Sequence, residues 1–310
     1  MIAVSFGYPR TLSARAGLGL VFERRARVRA GKKIRVENYT NIEYNILRLL
    51  MNESPTNYFK EYRTKLGFTN QNQIKDYLGA KNITPSVDYK YIDSLNERIV
   101  DIVIKINSII HSDSRRNDLD DFIKSKILTV YETIKLNDII PRLNNQGRRP
   151  EEVLFSWLRG FVIFEYFSPC ISKIFSIKVD SILKIGNDDF NKIETFKRTP
   201  QADLKFIKNN RTVRVEVQSG FQGINDIKQH KVLEAKRVFN QIGDLTVCIH
   251  FDLFNGQVAF VRLDNIDDTD INWVTRQQME GQTVFSIDQN FFEWRLLDAI
   301  PKCSELSIEI

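Results

Sequence analysis

Ala202-Asp203-Leu204-Lys205-Phe206-Ile207-Lys208-Asn209-Asn210-Arg211-Thr212-Val213-Arg214-Val215-Glu216-Val217-Gln218 is the stretch on which the fold turns. Two runs with strand character, Ala202 to Ile207 and Thr212 to Gln218, flank Asn209-Asn210, a pair suited to a two-residue turn. With that turn, Lys208 faces Arg211, Phe206 faces Val213 and Leu204 faces Val215, giving one apolar side. Asp203 then faces Glu216 on the other side, and Gln218 joins them because strand side chains repeat every two residues. Two carboxylates and an amide converge. Like charges at opposed positions destabilise a sheet unless something positive lies between them, and a hard divalent cation suits the gap. Magnesium takes one or two carboxylates plus water and phosphate oxygens. Read without context, Glu-x-Gln on a strand also fits a solvated face.

Outward from the hairpin, the pattern is α+β. Pro150 with Glu151 and Glu152 starts a helix expected to run to Phe167 and to stop at Pro169. Ile177 to Ile185 is a candidate strand. Asn225 to about Asn240 reads as a helix, and Val247 to Phe254 with Gln257 to Leu263 flank the hairpin signal Asn255-Gly256. The order is helix, strand, hairpin, helix, strand, strand. From Asn41 to about Leu143 the rhythm is helical: Ser54-Pro55 opens one helix and Gly67 closes it, Thr69 or Asn70 opens a second that Gly79 ends, and longer amphipathic helices span Tyr91 to Ile110 and Asp118 to Leu136. The loop Asn144-Asn145-Gln146-Gly147 marks a boundary. The first 31 residues hold six arginines, no lysine and one acid, Glu23, and read as a basic arm or hairpin. The expected division is an arm over 1–40, a helical domain over 41–145 and a site-bearing domain over 146–310.

Composition narrows the partners. The 310 residues carry a net charge of +6, a mild lean toward a phosphate-bearing partner. Cys170, Cys248 and Cys303 are widely spaced and odd in number, pointing to a reducing compartment rather than a disulfide framework or a zinc site. Val153 to Phe175 is strongly apolar but interrupted by Arg159, Glu165 and Lys173, so it reads as a buried helix rather than a membrane span. No signal peptide is apparent, which makes the cytoplasm the expected location.

Thr199-Pro200-Gln201-Ala202-Asp203, the hairpin, and Val215-Glu216-Val217-Gln218 resemble the PD-(D/E)xK nuclease superfamily, as do the helix before these strands and the helix-strand unit after them. The resemblance covers roughly Pro150 to Leu263. It implies a restriction-endonuclease-like core with a mixed central sheet flanked by helices. Asp203 and Glu216 would ligate Mg²⁺ with the Val217 carbonyl, and cleavage would leave a 3′-hydroxyl and a 5′-phosphate. The family's lysine is replaced here by Gln218, which can orient water but supplies no charge. The resemblance also implies an acid on the preceding helix, for which Glu165 is the candidate among Phe161, Val162, Ile163, Phe164, Tyr166 and Phe167; a salt bridge to Arg159 or a lysine is the alternative. Lys205 shares the strand face of Asp203 and could supply the missing charge; a surface lysine is the plainer account of it. His230 and Lys231, on the helix after the hairpin, could reach a phosphate; the plainer reading places them on its wet face.

Tyr58 to Leu66, the turn at Gly67-Phe68 and Asn70 to Leu78 have helix-turn-helix proportions. Asn70, Gln71, Asn72 and Gln73 would then present amides to adenine edges, with Lys75 near a phosphate. The functional expectation is a type II restriction endonuclease acting as a homodimer on a double-stranded DNA site. The alternatives are a structure-specific or repair nuclease of the same core and a non-catalytic sequence-specific DNA-binding protein.

Overall fold

The computed structural model describes residues 55–80, 82–143, 148–178, 181–184, 203–277 and 281–310. The expected basic arm, the helical start before Pro55, the 144–147 loop, Thr199 to Ala202 and part of the candidate strand 177–185 lie outside these residues. Contacts divide the chain into Met1–Gln71 and Asn72–Ile310. In the first unit, α1 (Pro55–Leu66) begins at its proline and ends at Gly67, whose φ of 85° suits a residue without Cβ. A second helix, α2 (Gln71–Leu78), belongs to the larger unit except for its first residue and buries none of its residues.

The larger unit is α+β. Beyond α2, its helices are α3 (Tyr89–Ile109), α4 (Leu119–Ile123), α5 (Thr129–Leu136) and α6 (Pro150–Phe175), followed by β1 (Leu183–Lys184), β2 (Leu204–Lys208), β3 (Arg211–Gly220), β4 (Asp226–Lys228), α7 (Gln229–Ile242), β5 (Leu245–Asp252), β6 (Gln257–Arg262), β7 (Trp273–Arg276), β8 (Gln282–Ser286) and β9 (Phe292–Arg295). The expected order of helix, strand, hairpin, helix, strand, strand is found, with β4 inserted before α7. Six strands form one mixed sheet in the order β1-β2-β3-β5-β6-β9, with β3 and β5 parallel. A second sheet has the order β4-β8-β7.

The two faces of the large sheet differ. One presents Leu204, Phe206, Val213, Val215, Val247, Ile249, Phe251, Val258 and Phe260 to α3 and α6, with Phe167 stacked on Phe251 at 4.3 Å and Phe175 against Phe206 at 5.0 Å. Helices from Tyr89 onward thus share one core with the strands. On the other face Cys248, Ala259 and Val261 meet Val232 and Ala235 of α7 and Phe285 of β8.

Several boundaries depart from the sequence reading. α6 runs through Pro169 to Phe175, although proline removes one helical hydrogen bond. Cys170, Ile171, Ile174 and Phe175 lie in the core, and their burial outweighs the break. The expected helix Asp118 to Leu136 is interrupted by a π turn, Lys124–Leu128. α7 starts four residues late because Asp226–Lys228 pairs with β8. The hairpin at Asn255-Gly256 has four loop residues: β5 ends at Asp252, paired with Gln257, and the Asp252 carboxylate accepts from the amides of Phe254 and Asn255.

Candidate metal and phosphate site

The site starts from the hairpin register. Leu204 pairs with Val215, Phe206 with Val213 and Lys208 with Arg211, as the two-residue turn requires. Asn209 and Asn210 both take positive φ, 51° and 60°, the mirror-image turn whose twist matches the strands. The paired register ends at Leu204–Val215; just before β2 the Asp203 amide donates at 2.9 Å to the carbonyl of Val215, the residue Leu204 faces, and the expected Asp203–Glu216 pairing is not part of the ladder. The Asp203 carboxylate Oδ2 accepts from the Val217 amide at 2.7 Å. The amide and carbonyl of a strand residue point to the same edge, so the Val217 carbonyl faces the edge that carries Asp203.

Glu216 is 4% exposed, on the face opposite the apolar core. A carboxylate this deep needs a partner, and it has one in Lys231, whose ammonium donates to Oε1. No other described residue donates to this carboxylate. Lys231 is therefore not on the wet face of α7. It turns inward, while its neighbour His230 stays exposed. The helix period explains the difference: Val232 and Ala235 anchor α7 to the sheet, and Lys231 flanks that buried stripe. The sequence signal was available in the spacing of Val232, Ala235 and Val238, but the direction of the lysine stem was not.

Cys248 pairs with Glu216 across the parallel ladder and lies under the site. Burial pushes its thiol up to about 12, with Lys231 lowering and Asp203 raising it. Charges from two elements thus bear on one buried point of the sheet. Gln218, half-buried, pairs with His250. His250 is 3% exposed, bonded through Nε2 to Asn225 Oδ1 at 2.8 Å, and burial holds its pKa down at about 4. Asn225 also donates to Asp252 at 3.2 Å, so a buried polar chain flanks the site on the Gln218 side.

Other predicted residues fall elsewhere. Glu165 is buried on α6 and ion-paired with Lys126 at 2.8 Å, the lysine partner the alternative reading expected. Among the described residues no three His, Cys, Asp or Glu side chains gather to hold a metal. Lys205 is half-buried and faces Arg214, itself bonded to Asp244 at 2.9 Å. Asn70, Gln71, Asn72, Gln73 and Lys75 are exposed at the start of α2.

No protein-family model matches the chain, and no curated protein matches it. A solved Holliday junction resolvase from the archaeal hyperthermophile Archaeoglobus fulgidus is similar over 41% of this chain and 81% of that one, with 10% identity and a TM-score of 0.26. A likeness this slight carries no functional inference. Among the described residues no helix is long and apolar enough to cross a membrane.

What the donor set can do is limited and specific. Asp203, Glu216 and the Val217 carbonyl are hard oxygen donors, few in number, which suits a magnesium ion that keeps most of its water. Soft metals would want the thiol of Cys248, which burial keeps protonated.

Proposed function

We propose that the chain is a magnesium-dependent endodeoxyribonuclease of type II restriction character, cutting a specific double-stranded DNA site as a homodimer. One observation supports the reading: the Asp203 carboxylate accepts from the amide of Val217 at 2.7 Å, the residue next along the strand from the buried Glu216. Asp203, Glu216 and the Val217 carbonyl would hold Mg²⁺, which when bound supplies a water of lowered pKa and neutralises phosphate charge.

The remaining work falls to the chain itself. Gln218 orients water by hydrogen bonding, since an amide neither takes a proton nor adds charge. Glu165, paired with Lys126, is left out of the ligand set. The exposed Asn70, Gln71, Asn72, Gln73 and Lys75 are the proposed base-reading and phosphate contacts. The net charge of +6 favours DNA over acidic partners. The proposed division of labour keeps reading with residues 41–145 and cutting with 146–310, the helices from Tyr89 onward sharing the core of the strands.

Plasmid incubated with the protein in Mg²⁺ and in EDTA tests the reading. Discrete bands in Mg²⁺ alone, with mapped ends carrying 5′-phosphate, are expected. Smearing or cutting at branched junctions would point to a structure-specific nuclease instead. Binding without cleavage on every substrate would leave a DNA-binding protein and refute the enzyme.

A further inference from the structure

We propose that His250 of β5 is a positioning residue for Gln218: its ring Nδ1 accepts a hydrogen bond from the Gln218 amide, which turns the amide oxygen toward the site. The proposal rests on the nuclease reading and deepens it, by naming what aims the group that orients water. Asp252, two residues along β5, sets the arrangement. It is fully buried, and its carboxylate accepts from Asn225 at 3.2 Å and from the Asn255 side chain at 2.7 Å. Burial pushes its pKa up, but the bonds from Asn255, Asn225 and Gln257 outweigh this and leave it below the usual carboxylate value. An ionised carboxylate only accepts, so Asn225 gives it the NH₂ and turns its oxygen to His250. His250 Nε2, 2.8 Å from that oxygen, must then carry the ring proton.

This tautomer leaves Nδ1 with a bare lone pair. His250 is 3% exposed, and among the described residues no donor reaches Nδ1. A buried acceptor without a donor is costly, and folds satisfy nearly all of them. On its sheet face His250 lies between Gln218 of β3 and Ala259 of β6, its partners in the two ladders. Alanine offers no side-chain donor; the half-buried Gln218 offers two amide N–H bonds. Gln218 shares the strand face of Glu216, so giving an N–H to the ring leaves its oxygen for the site. Unanchored, the amide can flip and present its NH₂, which repels the hydrogen of the water it should orient.

Protein labelled with ¹⁵N-histidine tests the bond. It holds three such rings, His111, His230 and His250, and His111→Gln and His230→Gln assign the other two. The His250 ring is expected to show Nε2 protonated and Nδ1 bare, and Gln218→Ala is expected to shift Nδ1 while Nε2 stays. A protonated Nδ1, or one unmoved by Gln218→Ala, overturns the proposal. Single-turnover cleavage in Mg²⁺ reads the consequence, with melting measured on the same proteins. His250→Gln keeps a donor for Asn225 but has no ring Nδ1, and is expected to cut about tenfold more slowly, the loss expected of Gln218→Ala itself. Adding Gln218→Ala should slow it no further, because both changes remove one interaction. A His250→Gln rate within about threefold of wild type, or losses that multiply in the double variant, also overturn the proposal. The nuclease reading fails separately, if wild type cuts no DNA in Mg²⁺; the ring spectrum reads the bond either way.

Discussion

Glu216 of β3 and Lys231 of α7 form an ion pair that joins the central sheet to the helix laid across it. Removing one member of a buried pair leaves an unpaired charge, a change that costs several kcal/mol elsewhere. Breaking the pair therefore destabilises the fold at the proposed site itself, and variants there must be judged by rate and by stability together.

Gln218 orients water and binds no metal in this account. Gln218→Ala should slow cleavage about tenfold, below the roughly 10²–10⁴-fold of a group that itself moves the proton, without changing the Mg²⁺ concentration giving half-maximal rate. Rates measured across a magnesium titration check this. A fully active variant would make the amide a bystander.

The hairpin register depends on two asparagines at positive φ. An L-residue other than Gly or Asn pays roughly 1–2 kcal/mol in the left-handed region. Asn210→Ala should therefore lower stability by about 1 kcal/mol, and Asn210→Gly should be neutral or slightly stabilising. Urea unfolding of the three proteins decides, and equal stability of the alanine variant would contradict the turn.

His250 gives a pH dependence with a definite sign. Its pKa in the fold is near 4, lowered by burial, whereas in the unfolded chain it titrates near 6.5. The unfolded state therefore takes up a proton first. The stability contributed by the neutral ring is complete above about pH 6.5 and is lost as pH falls toward 4, by up to about 3 kcal/mol at 1.36 kcal/mol per unit. Urea unfolding from pH 7.5 to 4.5 should show this loss, and His250→Gln should flatten it. Identical pH profiles would mean that His250 is not buried neutral.

How much of this was legible from residues follows from which interactions are local. The hairpin was readable because period-two alternation and a two-residue turn together fix every facing pair from Leu204–Val215 to Lys208–Arg211. The helix starts at Pro55 and Pro150 were readable from the same kind of short-range chemistry. What escaped depends on packing between distant parts. Pro169 stays inside α6 because Ile171 and Phe175 are needed in a core the sequence does not display. β4 forms because β8, nearly sixty residues on, supplies its partner. Lys231 finds Glu216 across fifteen positions, a meeting set by how α7 crosses the sheet.

Cleavage of one DNA substrate by wild type, Asp203→Ala and Glu216→Ala in Mg²⁺, with DNA affinity measured alongside, tests the shared-ion claim most directly. Both variants should lose cutting by at least about a hundredfold, the scale set by removing a single electrostatic stabiliser of a transition state, and should still bind DNA. Cutting at the wild-type rate by either one would show that the two carboxylates do not hold the ion.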